Sequence, residues 1–328
     1  MNRHLRHHPL RTGFGRGPRV TGVFLAAAIF VGASLAVDTT HDDHECHLFG
    51  YVFGEDGGSP AQLETLCQEI YDKTIESRDA LPASDPPGDP DATRPDRTPL
   101  RESPSRDGWG FAYFLAPPHP GLQRPVFVKS GAAASDDDLR WNVAVSEITD
   151  FGLGARSVVT GHVRKSSYGP DNGALVNPHP FADTLGGRWW TFAHNGHMVP
   201  DTLLAWIPED FLARHPLNYA PIEVDSEVLF RYCLYQIEQH GNVRDGLLEA
   251  FGRVREHYSA FVFNICMTDG DTLWTAHTHN VFPFYYGANE DSSAWWASTA
   301  SGEADPAEME QHHLYWFSAD GWGEASYD

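Results

Sequence analysis

The chain has 328 residues, 41% of them hydrophobic and 12% aromatic, enough to fill one large core or two small ones and too much for a disordered chain. Its 45 acidic and 23 basic side chains give a net charge of −22, and because residues 1–37 hold five arginines and no acid, the remainder carries −27. That body repels nucleic acid and anionic membrane surfaces, and a surface with only Lys73, Lys129 and Lys165 among so many carboxylates suits a salt-rich medium.

Residues 1–20 are rich in Arg, His, Pro and Gly, and the apolar run from Thr21 to Val37 ends in the small residues Ser34 and Ala36, the layout of a secretory signal peptide. The run falls short of the ~20 residues that span a bilayer. Three readings stay open: a start assigned too early, which leaves the protein cytoplasmic; a cleaved signal; and a retained anchor, the one case in which a membrane is a partner. His41-Asp42-Asp43-His44 reads as solvated leader rather than a metal site, so residues 1–45 form a leader with no expected cofactor or metal.

A strand is expected over Cys46-His47-Leu48-Phe49-Gly50-Tyr51-Val52. Ser59-Pro60-Ala61-Gln62 then forms a capping-box start, and Leu63, Leu66, Cys67 and Ile70 recur at helical spacing, predicting a helix over 60–76. Residues 79–106, dense in Pro, Asp, Arg and Ser, have no apolar period and read as an insert. Strands follow near 109–115, 125–129, 156–164, 188–194, 259–268 and 272–277, the last two joined through Asp269-Gly270-Asp271. Helices are expected near 200–213, 225–239 and 243–257. Long antiparallel strands with helices gathered separately point to an α+β fold in layers. Of the four cysteines, Cys67, Cys233 and Cys266 fall on apolar faces and read as inert core, without the spacing of a disulfide scaffold or zinc site. Asp107-Gly108-Trp109-Gly110 recurs as Asp320-Gly321-Trp322-Gly323, with no longer self-similarity to suggest a repeat.

Several motifs take on meaning as an ordered set: Cys46 before its strand, then Asp107-Gly108-Trp109-Gly110, Gly161-His162-Val163-Arg164, Asn177-Pro178-His179, Ala193-His194-Asn195-Gly196 and Val224-Asp225-Ser226-Glu227. In this order, over most of 46–300, the chain resembles the stand-alone class II glutamine amidotransferases, N-terminal-nucleophile hydrolases whose mature chain starts with the catalytic cysteine. The resemblance implies a four-layer αββα sandwich over 46–328 and hydrolysis of a γ-glutamyl amide, glutamine or a γ-glutamyl conjugate. Cys46 becomes the nucleophile, and its freed α-amine, with an unperturbed pKa of roughly 7.7–8.0, the base. Asn195 and the backbone N–H of Gly196 become oxyanion donors, where by sequence alone His-Asn-Gly reads as a common turn. Arg164 is matched to the residue that holds the substrate α-carboxylate and Asp225 to the one that binds its α-amino group, where isolated readings give a surface arginine and a helix N-cap. Gly108, Trp109 and Gly110 line the pocket through their backbone. Ser166, Ser167, His162, His179 and His194 are neighbours that pack and hydrogen-bond.

This sequence departs from the family pattern at two points. Glu45 precedes the cysteine, so a proteolytic step is needed to free its amine, and Trp295-Trp296-Ala297-Ser298-Thr299-Ala300 has no acid where stand-alone relatives often have Ala-Ser-Glu. No synthase domain follows in the sequence, so any ammonia-accepting synthase is expected to be a separate partner. Two rival readings remain: a binding or regulatory module on the same fold, and a secreted thiol amidase acting on another acyl amide.

Overall fold

The computed structural model describes residues 46–55, 57–79, 108–115, 124–150, 154–164, 179–196, 198–218, 224–257, 263–278, 283–288, 294–299 and 306–328. The expectations for the leader 1–45, for the insert 79–106 beyond its first residue, and for Ser166, Ser167 and Asn177 lie outside the described residues.

The chain begins with β1 (His47–Phe53), α1 (Pro60–Asp79), β2 (Trp109–Phe114) and β3 (Val126–Ser130). A short 3-10 turn leads into α2 (Asp138–Asp150), followed by β4 (Val158–Val163), β5 (Phe181–Leu185) and β6 (Arg188–Gly196). Four helices come next: α3 (Pro200–Leu204), α4 (Glu209–Arg214), α5 (Asp225–His240) and α6 (Val243–His257). The chain closes with β7 (Phe263–Thr268), β8 (Thr272–His277), β9 (Tyr285–Ala288), β10 (Ala294–Ser298), β11 (Ala307–Glu308), β12 (His313–Ser318) and β13 (Gly321–Ser326).

Among the described residues these strands form two antiparallel sheets, ordered β11-β9-β10-β1-β4-β2-β3 and β13-β12-β8-β7-β6-β5. The period-two alternation of each strand builds the layers. On β1, Phe49, Tyr51 and Phe53 pack with Leu63, Leu66 and Ile70 of α1 and Trp141 of α2, whereas Leu48 and Val52 join Cys266, Leu273 and Phe317 of the opposite sheet. On the far side, Trp190 and Phe192 of β6 and Ile265 and Met267 of β7 pack with Leu229 and Cys233 of α5 and Leu247 and Phe251 of α6. The result is helices, sheet, sheet, helices: the expected αββα sandwich.

The predicted capping box exists in an extended form. Gln62 N–H donates to Ser59 Oγ (3.3 Å), and the return path runs through the Tyr51 hydroxyl, which lies 3.3 Å from both Ser59 N and Gln62 Oε1. Tyr51 thereby ties the start of α1 to the central strand. The helix expected over 200–213 is corrected to the two short helices α3 and α4: a turn through Ala205, Trp206 and Ile207 leads to Pro208, which has extended dihedrals and no N–H for a continuous helix. Cys67, Cys233 and Cys266 are fully buried, and desolvation raises each thiol pKa, the behaviour of core residues.

Candidate active site

Three strand ends of the first sheet meet at one edge. His47 of β1 and Trp109 of β2 both pair with Val163 of β4, and Arg164 N–H donates to Gly108 O (2.8 Å). Cys46, Gly108 and Arg164 are therefore neighbours along that edge because of sheet register. Gly108 takes φ +106°, a conformation that disfavours any side chain. From the second sheet, β6 runs to its end at Asn195 and Gly196, and Asn195 Nδ2 donates to the carbonyl of Cys46 at 2.7 Å. An amide nitrogen carries two hydrogens, so this bond orients the group and leaves its second N–H for an oxyanion.

Of the described cysteines, Cys46 alone is not buried. His47 beside it retains some exposed surface, yet desolvation, with the charge of Lys73, holds its imidazole down to about 3. It stays neutral at working pH. His162 and His179 lie deeper, 1% and 5% exposed, with ring centroids 4.2 Å apart, and burial foremost keeps both well below the ordinary histidine range. The positive charge of Arg164 pushes both the same way.

Asp225 is the first residue of α5, but Val224 is the N-cap and makes no side-chain cap bond, so the simple N-cap role is corrected. Its Oδ1 accepts from Ser226 N (2.7 Å) and Ser226 Oγ (3.3 Å), and its Oδ2 accepts from Met198 N (2.8 Å), just beyond the end of β6. The carboxylate thus bridges the helix start and the strand exit. Trp109 is fully buried on the helix side, its ring 5.2 Å from that of Trp141, so only its backbone faces the edge. Gly110 gives close approach to protein rather than ligand, because a Cβ there would lie 2.5 Å from His179 O.

Sequence reasoning passed over Lys129, Ser226 and Glu227 as site neighbours. Lys129 runs beside Gly110, and burial pushes its ammonium down to about 8 against the opposing pull of Glu227. Glu227 is fully buried, its Oε1 accepting from Asn218 N (2.9 Å), Asn218 Nδ2 (2.8 Å) and Arg231 Nη2 (3.2 Å). The quoted Val224-Asp225-Ser226-Glu227 motif held the signal for two of the three. Ser226, His194 and Asp225 are the residue types of a serine hydrolase triad in the wrong order. The hydroxyl lies between imidazole and carboxylate, whereas a triad needs the imidazole in the middle.

Comparison with known proteins identifies the family. The family model described as "Glutamine amidotransferases class-II" matches residues 97–284, more than half of the chain. The chain belongs to the class-II glutamine amidotransferases. It is 27% identical over 174 residues to YafJ of Escherichia coli (strain K12), a glutamine amidotransferase by provisional name only, and 28% identical over 170 residues to the uncharacterized protein MJ1515 of Methanocaldococcus jannaschii. Each match takes in 51% of this chain, with 58% of the first relative and 41% of the second, so the chain spans about half the length of the curated relatives it matches. Among solved structures, the allosteric regulatory enzyme of purine biosynthesis aligns with a TM-score of 0.53 at 14% identity, over 86% of this chain and 49% of that one. Glutamine phosphoribosylpyrophosphate amidotransferase of B. subtilis aligns at 0.50 and 15% identity over the same shares. At these identities the likeness establishes the N-terminal-nucleophile hydrolase fold. Among the described residues, no helix is long and apolar enough to cross a membrane.

Proposed function

We propose that the protein, once Cys46 is its first residue, hydrolyses a γ-glutamyl amide, releasing glutamate and ammonia or an amine. The observation that carries this reading is the 2.7 Å bond from Asn195 Nδ2 to the Cys46 carbonyl, which brings an oriented amide donor from one sheet to the only non-buried cysteine, held by the other. The freed α-amine takes the thiol proton, and the thiolate attacks the γ-carbonyl to give a tetrahedral oxyanion held by Asn195 and the Gly196 N–H. Collapse breaks the C–N bond, and the amine's proton passes to the leaving nitrogen. Water then attacks the thioester, giving its proton to the α-amine and restoring the thiol. Arg164 receives the substrate α-carboxylate and Asp225 its ammonium group, while Gly108 keeps a side chain off that edge. With its imidazole held down to about 3, His47 is a poor proton acceptor near neutral pH, which supports the amine as base. A cytoplasmic site of action and a separate ammonia-accepting synthase are part of this proposal.

The test uses the full chain with a protease recognition sequence ending just before Cys46, folded intact and then cut. Cutting should switch on glutaminase turnover, and Cys46→Ala should abolish it. While Glu45 is attached, the nitrogen is an amide whose delocalised lone pair cannot take the thiol proton. Equal turnover before and after verified cutting overturns the mechanism.

A further inference from the structure

We infer that Ser226 and His194 are positioning residues that fix the head-group carboxylate of Asp225 relative to the oxyanion donor Asn195; this rests on the γ-glutamyl reading above. His194 and Asn195 are consecutive on β6, so their side chains leave opposite faces of the sheet. Asn195 reaches the Cys46 carbonyl across the space between the sheets. His194 turns the other way and meets Ser226 Oγ through Nδ1 at 2.9 Å, at the start of α5. One strand therefore holds the backbone of the nucleophile with one residue and the substrate-binding helix with the residue before it.

The hydroxyl of Ser226 has a single proton and lies 2.9 Å from His194 Nδ1 and 3.3 Å from Asp225 Oδ1. Both bonds form together only when His194 carries hydrogen on Nδ1 and donates it to Ser226 Oγ, whose own proton then goes to Asp225. The relay runs His194 to Ser226 to Asp225, each member 4% exposed or less except the carboxylate at its end. Burial strengthens such a chain and makes the loss of one member costly. Two further bonds limit its movement. The backbone N–H of His194 donates to His179 Nδ1 (3.2 Å), and Met198 N–H holds the second oxygen of Asp225 (2.8 Å). With both carboxylate oxygens tied, the span from Asp225 to Asn195 is set by protein bonds, and it is the span between the ammonium and γ-carbonyl ends of the substrate.

The experiment uses the full chain cut before Cys46, with glutamine as substrate and two labels for Cys46: a diazoketone analogue of glutamine, which needs the head-group pocket, and iodoacetamide, which does not. Ser226→Ala should raise KM about tenfold and slow labelling by the analogue to a similar degree, as for loss of a buried hydrogen bond, with kcat within about twofold and iodoacetamide labelling unchanged. Ser226→Thr, which retains the hydroxyl, should recover most of the loss. Should Ser226→Ala not fold, His194→Asn, which keeps a donor near the Nδ1 position, is compared with His194→Leu, and only the latter should raise KM. An unchanged KM in Ser226→Ala, equal KM in the two His194 variants, or a fall in kcat that tracks the thermal midpoint overturns the inference. Wild type that takes iodoacetamide but not the analogue overturns the γ-glutamyl reading and this inference with it; wild type that takes both beside an unaffected Ser226→Ala overturns this inference alone.

Discussion

The backbone carbonyl of His179 fills the place where a side chain on Gly110 would stand: a Cβ there falls 2.5 Å from that oxygen and 3.0 Å from Lys129 Cγ. Gly110 is held on both sides, by His162 of β4 and Lys129 of β3, so it cannot back away. Gly110→Ala should displace His179, which accepts the His194 N–H, and cost about 1–3 kcal/mol of stability, as overpacking typically does. Urea unfolding checks this. An unmoved midpoint means the contact yields freely.

Substitutions at the two ends of the substrate should separate kinetically. Asn195→Ala removes a donor used mainly in the transition state and should cut kcat by about 10²–10³ with little change in KM. Arg164→Ala and Asp225→Asn remove a charge from the head-group pocket and should raise KM while part of kcat survives. Asn at 225 keeps the side-chain shape without the charge, but its single amide oxygen can accept only one of the two backbone bonds that Asp225 takes from Met198 and Ser226, so its thermal midpoint is measured beside its rates. Steady-state rates on glutamine decide it, and the same kinetic pattern in all three variants would refute the assignment.

Acid should destabilise the fold through its buried imidazoles. His162 and His179 have folded pKa values held below the unfolded value near 6.5, so the unfolded state binds protons that the folded state refuses. Their contribution is present in full above about pH 6.5 and is lost as pH falls from there toward the depressed folded values. The expected slope is about 1.4 kcal/mol per pH unit for each histidine. Unfolding free energies measured between pH 5 and 6 should fall less steeply in a His162→Phe variant than in wild type; parallel slopes would show that the ring is protonated in the fold.

Salt should stabilise the protein. A body carrying −27 repels itself, and at molar salt the screening length shrinks to about 3 Å. The thermal midpoint should climb with potassium chloride, and a flat midpoint from low to molar salt removes the salt-adaptation reading.

Much of the fold was legible because its signals are local. α1, α5 and α6 announce themselves by apolar spacing, and the β7–β8 hairpin by Asp269-Gly270-Asp271, where Thr272 N–H closes the turn on Asp269 Oδ1 (3.1 Å). α2 was missed: Trp141, Ala144 and Ile148 form a buried stripe, but exposed Leu139 and Val143 blur its period. The C-terminal strands escaped for a similar reason. Leu314, Tyr315 and Phe317 are all buried, on two faces of β12, so no polar alternation marks the strand. At the site, the residue types were readable but their meeting was not. Asn195 and Cys46 are 149 positions apart, and only sheet packing brings them together.

β1 is hydrogen-bonded on both sides, from Phe49 to Phe53 with β10 and from His47 to Val52 with β4. Sliding it by one residue would exchange Phe49, Tyr51 and Phe53 for Leu48, Gly50 and Val52 on the helix side and strand three aromatic rings between the sheets. The position of the sulfur is therefore quantised: a step of one residue turns the aromatic face inward, and a step of two keeps the faces but unpairs the strand ends and misplaces Phe49, Tyr51 and Phe53 against their partners. On the function proposed above, the reach of this thiol is tuned by altering what surrounds Cys46 rather than by sliding the strand that carries it, so relatives with different acyl preferences should keep the length of β1 and change the groups that face it.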